Sequence, residues 1–135
     1  MAQTVELARR VVETAEAVNG VVAQVLTELD VAPSTVGVLW ALGASGAPPT
    51  MRDLAGRLGC DPSTISLTAD RLESAGFLTR EPHPSDGRKR ILVLTERGRE
   101  VWHEVGVRLH ASPVLAGLDA AERGTLVTLL ARVRA

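Results

Sequence analysis

The stretch T-M-R-D-L-A-G-R-L-G-C-D-P-S-T-I-S-L-T-A-D-R-L-E-S-A-G-F, residues 50–77, decides the fold of this chain. Thr50 and the aspartate three residues later form a capping-box pattern, which predicts that a short helix covers 51–58. Gly59 ends this helix, and an Asp-Pro pair then starts a second helix that runs to about residue 74. Two capped helices joined by a tight glycine turn are typical of a helix–turn–helix.

The second helix of this pair has one apolar side and one polar side. Ile65, Ala69 and Leu72 recur at positions i, i+4 and i+7, so their side is predicted to face the core. The other side suits the major groove of DNA, which admits one helix and presents base edges that donate and accept hydrogen bonds. The candidate DNA-contacting residues of this helix are Ser63, Thr64, Ser66, Leu67, Thr68 and Arg71. The alternative is a capped surface helix with ordinary polar residues.

A β-hairpin is predicted directly after this helix. Extended runs over 77–81 and 90–94 flank the turn-rich loop P-H-P-S-D-G-R-K. Residues 50–99 carry nine basic and seven acidic side chains, a net charge of +2, whereas residues 1–49 carry −3. An arginine on a narrow loop can enter the minor groove, whose negative potential favours it. The candidate hairpin residues are Arg80, Arg88, Lys89 and Arg90, with Asp86 placed to brace Arg88. The alternative is a solvated turn with scattered charges.

Amphipathic helices flank this centre on both sides. They are predicted over 3–29, 33–43, 96–111 and 120–134. The apolar positions of the first and last are Leu7, Val11, Val18, Val22, Val25 and Leu29, and Leu126, Leu129, Leu130 and Val133. Neither the first helix nor the last two can bury an apolar stripe on so small a centre. We therefore expect them to pack on each other or on a second copy of the chain.

The predicted order is α-α-α-α-β-β-α-α, a mainly α fold with a small β-hairpin. This is the layout of a winged helix–turn–helix, in which the hairpin is the wing. We expect a single domain over 1–135. Within it, 33–95 form the winged helix–turn–helix lobe, and 1–32 together with 96–135 form dimerisation helices.

Composition excludes several other classes of function. The chain has 135 residues, 45% of them apolar, and its one cysteine excludes a disulfide framework and a multi-cysteine zinc site. Aromatic residues make up 2%, which disfavours proteins that stack single-stranded bases. The sequence has no nucleophile elbow, phosphate-binding glycine loop or metal-binding box, so we expect neither an enzyme nor a cofactor. With no secretory signal and no run of membrane-spanning length, we expect a cytoplasmic protein.

The hairpin sequence S-D-G-R-K-R-I-L-V-L-T-E-R-G (85–98) resembles the wing signature of the MarR family of transcriptional regulators. That signature has Asp-x-Arg, five residues, then a Leu-Thr pair and a glycine, and Asp86, Arg88 and Gly98 are among the residues that match it. L-x-C-D-P-S-T-I-S-x-x-x-D-R-L-E-x-x-G-F-L-x-R (58–80) is similar to the family's recognition helix and first wing strand.

The resemblance implies a homodimeric winged helix–turn–helix protein that binds a palindromic operator in double-stranded DNA. It implies that Ser63, Thr64, Ser66 and Arg71 face the major groove and that Arg88 enters the minor groove. Many members are repressors released by small aromatic or lipophilic ligands, which bind between the dimer body and the DNA-binding lobe. Leu67 departs from the family pattern, because many members carry a polar or basic residue there. A leucine there either contacts a thymine methyl group or is a plain surface residue.

Several assignments stay open at this point. Trp40 and Trp102 flank the expected ligand cleft and either line a pocket or belong to the core. Arg71 either contacts DNA or serves a structural ion pair, and Cys60 is expected to be an inert structural thiol. His103 and His110, seven residues apart, are too distant for one tetrahedral metal site, so we expect no metal. The alternative function is a winged-helix protein-interaction module without specific DNA binding.

Overall fold

The computed structural model describes residues 1–43 and 46–133 and shows a mainly helical chain with one antiparallel hairpin. In chain order the elements are α1 (Ala2–Glu28), a short 3-10 helix (Pro33–Thr35), α2 (Val36–Gly43), α3 (Met51–Leu58), α4 (Pro62–Ser74), β1 (Leu78–Pro82), β2 (Arg90–Leu94), α5 (Glu96–Ala111) and α6 (Ala120–Leu130). The predicted winged helix–turn–helix order is confirmed.

Several predicted boundaries are wrong by one to a few residues, among them those of α1, which was predicted over 3–29. The helix predicted from residue 33 begins with a 3-10 turn, and its α-helical part starts at Val36. The first strand starts one residue late, because the Phe77 N–H donates to the Leu72 carbonyl at 2.9 Å and so belongs to the turn that ends α4. The last helix ends at Leu130, since residues 131–133 form tight turns, and residue 134 of the predicted helix lies outside the described residues.

The helix–turn–helix forms through the caps that the sequence contains, with one exception. The Thr50 hydroxyl accepts from the Asp53 N–H, and the Asp53 carboxylate accepts from the Thr50 N–H, so the predicted capping box is confirmed. Gly59 ends α3 with a left-handed φ of 61°, which favours glycine. Asp61 stands at the N-cap of α4 but makes no side-chain cap hydrogen bond, so its predicted role as a hydrogen-bonding cap is wrong.

The core lies where the second half of α1, α2, α3, α4, the hairpin and α5 meet. Its largest fully buried side chains include Phe77, Leu26, Leu39, Leu54, Ile65, Leu72, Leu78 and Leu92. The predicted inward side of α4 is confirmed, because its three apolar residues are at most 1% exposed. One side of α4 therefore packs against the centre of the core.

The hairpin, which we call the wing (residues 78–94), is attached to the helices along β2 and at its base, away from its turn. On one side the Leu92 N–H donates to the Pro49 carbonyl at 3.0 Å, which joins the wing to the start of α3. On the other side the Thr95 hydroxyl donates to the Gly76 carbonyl at 2.5 Å and accepts from the Gly98 N–H. A Cβ atom added at Gly98 would lie 2.0 Å from the Phe77 carbonyl oxygen, so a glycine is needed there.

The terminal helices leave a large apolar surface uncovered. Leu7 is 59% exposed and α6 has no buried residue, so the apolar residues of both helices stay uncovered in a single chain, as the small size of the centre predicts. The first half of α1 and α6 line a shared groove of about 730 Å³, the terminal groove, whose apolar lining is Leu7, Ala8, Val11, Val12, Leu126, Leu129, Leu130 and Val133. No helix of the described residues has both the length and the apolar character to cross a bilayer.

The close approach at Gly98 gives a stability prediction. Gly98→Ala is expected to cost about 2 kcal/mol of unfolding free energy, because the new methyl group overlaps the Phe77 carbonyl. Gly106→Ala, on the same helix with open space around it, is expected to stabilise by about 1 kcal/mol through helix propensity. Urea unfolding at one protein concentration measures both, and equal midpoints for the two variants would contradict the close packing.

Candidate nucleic-acid interface

The outward face of α4 carries exposed side chains that can meet a ligand. Ser63, Thr64, Leu67 and Arg71 are exposed, and together they define this face. Ser66 and Thr68, predicted alongside them, are half-buried. The Thr68 hydroxyl donates to the Thr64 carbonyl at 3.0 Å, which occupies it within the helix.

Arg71 lies on this face, and its alternative role as one half of a structural ion pair has no support in residues 1–43 and 46–133. No acceptor bonded to its guanidinium is found there, and the carboxylates of Asp70 and Glu73 on the same helix are paired with Arg80. Its side chain is therefore placed to meet a ligand that approaches the outward face.

Arg80 joins the wing to the recognition helix. From β1 its guanidinium donates to Asp70 and Glu73 of α4, each at 2.6 Å, and to the Ser66 carbonyl at 3.3 Å. The hydrogen bond that Arg80 donates to the Asp70 carboxylate raises the pKa of Arg80 above its ordinary value, so the guanidinium stays charged. The sequence interpretation missed this structural role, since it assigned Arg80 to a DNA contact. The available signal was the position of Arg80 only ten and seven residues after the carboxylates of Asp70 and Glu73.

The wing tip, residues 83–89, is a turn held by backbone hydrogen bonds. The His83 N–H donates to the Lys89 carbonyl at 2.9 Å, and the Lys89 N–H donates to the Asp86 carbonyl at 3.0 Å. The Asp86 carboxylate accepts from the Arg88 N–H at 3.1 Å. Asp86 therefore braces the backbone of Arg88. The sequence predicted that Asp86 braces this arginine but did not say which atoms make the contact.

Three cationic side chains in or directly after the wing tip remain available for a ligand. Arg88, Lys89 and Arg90 are exposed, and in the part of the chain that the structure describes no carboxylate lies within ion-pair distance of them. Between the wing and the start of α3 lies a groove of about 580 Å³, lined by Thr50, Met51, Arg52, Asp53, His83, Lys89 and Arg90. The backbone N–H of Thr50 donates to the Asp53 carboxylate and keeps its pKa below the ordinary value. This carboxylate shares the groove with three cationic side chains, those of Arg52, Lys89 and Arg90.

The two tryptophans lie beside a second cavity but are placed differently. Their rings meet edge to face, with centroids 4.8 Å apart, and the Trp40 indole N–H donates to the Asn19 side chain at 3.0 Å. Trp102 lines a cavity of about 360 Å³ together with Arg99, whereas Trp40 does not line it. A Cβ atom at Gly43 would lie 2.2 Å from the Trp102 ring, so this glycine makes room for the indole.

The weaker candidates show no site of their own. Cys60 is a half-buried free thiol packed against the core. His103 and His110 are both exposed on α5. Within the described ranges, no three His, Cys, Asp or Glu side chains are grouped as a metal ion would require.

The polar outward face of α4 and the cationic wing define a winged helix–turn–helix protein of the class that transcriptional regulators form. The sequence profile of the MarR family matches residues 31–89. The HTH-type transcriptional regulator BilQ of Clostridium symbiosum is 28% identical over 111 residues, which are 79% of this chain and 77% of that protein. Both matches make the chain similar to the transcriptional regulators of the MarR family.

Solved structures agree with this fold. A mutant MarR of E. coli complexed with operator DNA has a TM-score of 0.65 at 24% identity, covering 98% of this chain and 96% of that one. CouR of Rhodococcus jostii RHA1, bound to p-coumaroyl-CoA, has a TM-score of 0.64 at 24% identity, covering 87% and 84%. At this identity these likenesses show the fold alone.

The bracing of the wing tip can be tested directly. Asp86→Ala removes the acceptor of the Arg88 N–H, so exchange of this amide hydrogen is expected to become about five-fold faster. Asp86→Asn keeps a side-chain oxygen and is expected to stay close to the wild-type rate. NMR-detected hydrogen exchange measures both, with the Leu92 amide as an unchanged internal control. Equal rates in the alanine and asparagine variants would contradict the brace.

Proposed function

We propose that this protein is a homodimer that binds a palindromic operator in double-stranded DNA, represses nearby genes and is released by a small ligand. The observation that carries the proposal is one continuous surface, in which the exposed polar side of α4 lies beside the unpaired cations of the wing. The E. coli MarR complex with operator DNA has the same fold and supports this use of it. Its site of action is then the cytoplasm, where that DNA is.

Sequence readout is assigned to the outward face of α4. Ser63 and Thr64 lie in the first turn, where a helix end enters the major groove, and Arg71 lies two turns further on. Short hydroxyl side chains contact either member of a base pair, and an arginine suits guanine. The half-buried Ser66 and Thr68 keep their predicted place at the edges of this face.

The wing is assigned to the DNA backbone and the adjacent minor groove. Arg88 stands on a braced turn that can enter the narrow groove, while Lys89 and Arg90 neutralise phosphates. Arg80 is assigned to positioning, because its two carboxylate partners already compensate its charge. Contacts from Lys89 and Arg90 set the register on the duplex and carry no sequence information.

The dimer is assigned to the terminal groove. Its apolar lining needs a cover, and burying apolar surface stabilises by about 25 cal/mol per Å². A second copy of the same chain supplies a self-complementary cover, as a two-fold interface requires. The pairing would place the two α4 helices in successive major grooves, about one helical turn apart.

The effector is assigned to the cavity that Trp102 and Arg99 line between α2, the wing and α5. An aromatic wall and one cation suit a small aromatic or lipophilic ligand that carries an anionic group. CouR, a protein of this fold, is bound to p-coumaroyl-CoA, which supports a ligand of this chemical class. To release DNA, the ligand must bind one spacing of the two lobes more tightly than the other.

Fluorescence anisotropy on the intergenic DNA beside this protein's own gene tests the proposal. Wild type is expected to bind that DNA in preference to unrelated competitor, with affinity that falls steeply with salt. Arg88→Ala is expected to lose about ten-fold in affinity. Lys89→Ala is expected to reduce the slope of log affinity against log salt by about two, one phosphate contact in each protomer.

Two control variants separate charge from position. Arg80→Ala is expected to lower stability and leave the salt slope unchanged, because its charge is already paired. Arg10→Ala, on the exposed first half of α1, is expected to change neither the stability nor the salt slope. Equal binding of the chosen DNA and of competitor, with a flat salt response, would instead support a protein-interaction module.

A further inference from the structure

Leu67 is an apolar residue at the centre of a polar face. It lies two residues after Ile65 and two before Ala69, so it points about 160–200° around the helix from these buried side chains. Its side chain is 54% exposed. The residues around it are Ser63, Thr64, Asp70 and Arg71, so these near neighbours are polar, and the Asp70 carboxylate is paired with Arg80.

Packing within the protein does not account for this leucine. Most other exposed apolar side chains lie on the terminal helices, where the proposed second copy covers them. Leu58, at the end of α3, lies against Gly37, because a Cβ atom there would be 3.4 Å from the Leu58 side chain. Leu67 lies on the opposite side of α4 from the core, away from the terminal groove.

The surroundings of Leu67 favour DNA over a protein partner. A protein that docks on an apolar patch needs several adjoining apolar groups, and the outward face of α4 offers one. The same surface continues into the cationic wing, which suits a polyanion. A leucine neither donates nor accepts a hydrogen bond, so phosphates and polar base edges give it no partner.

The major groove contains one apolar group that a leucine can match. All base pairs present hydrogen-bonding atoms there, and thymine adds a 5-methyl group. We infer that Leu67 contacts the 5-methyl group of one thymine in each half-site. This inference rests on the proposed function, and it names the base that this position selects. A cytosine at the same step would leave the leucine against a bare ring edge.

The experiment removes the methyl group from DNA and the leucine from the protein. Duplexes are first selected from a random pool by wild-type protein, and one selected duplex is then rebuilt with single thymine-to-deoxyuridine exchanges. At one thymine per half-site we expect deoxyuridine to weaken wild-type binding about four-fold, the loss of one buried methyl contact. With Leu67→Ala the thymine and deoxyuridine duplexes are expected to bind equally.

Control variants keep the test independent of folding. Leu67→Ala is expected to unfold at the wild-type urea midpoint, because the side chain is exposed. Leu67→Val, which keeps part of the apolar side chain, is expected to give an intermediate ratio between the two duplexes. Leu58→Ala, a leucine outside the outward face, is expected to keep the full four-fold ratio.

The experiment distinguishes failure of the proposed function from failure of the inference about Leu67. If wild type selects no sequence from the pool, the proposed function fails and the inference fails with it. If a sequence is selected but deoxyuridine never matters, or matters equally in Leu67→Ala, the inference alone is overturned. Single cytosine-to-5-methylcytosine exchanges form the last arm, and tighter binding there without any effect of deoxyuridine would overturn the assignment to thymine.

Discussion

The structure depends on an apolar surface that one copy of the chain cannot cover. Val127 of α6 is 69% exposed and Leu7 of α1 is 59% exposed, although both helices are otherwise regular. Residues 1–43 and 46–133 have their core in the winged lobe, and no element among them lies over these stripes. Covering them with a second copy of the chain would fix the distance between two recognition helices, and so would make a palindromic operator the matching ligand.

Within each winged helix–turn–helix lobe, polar contacts hold α4, the wing and the start of α5 in place relative to one another. Arg80 links β1 to the outer edge of α4, and Thr95 with Gly98 brings the start of α5 against the end of α4. The wing and α4 therefore share these supports. If a ligand beside Trp102 changes the spacing between the two lobes, we expect α4 and the wing of each lobe to move together.

Local patterns in the sequence predicted the elements well, because caps, glycines and apolar periodicity act over a few residues. The Thr50 capping box and the buried side of α4 are examples. Contacts between distant elements were harder to predict. The pairing of Arg80 with Asp70 and Glu73 depends on how β1 crosses α4, and the exposure of α6 depends on what a single chain can reach. Periodicity marks which side of a helix is apolar, but it does not say what covers that side.

The most direct test of the account is the mass of the protein in solution, measured by sedimentation equilibrium. Wild type is expected to sediment as two chains at micromolar concentration. Leu129→Arg places a charge in the terminal groove and is expected to sediment as one chain, whereas Leu58→Arg, on the exposed end of α3, is expected to remain paired. A wild-type protein that sediments as one chain at every concentration and still selects a palindromic duplex would contradict the account.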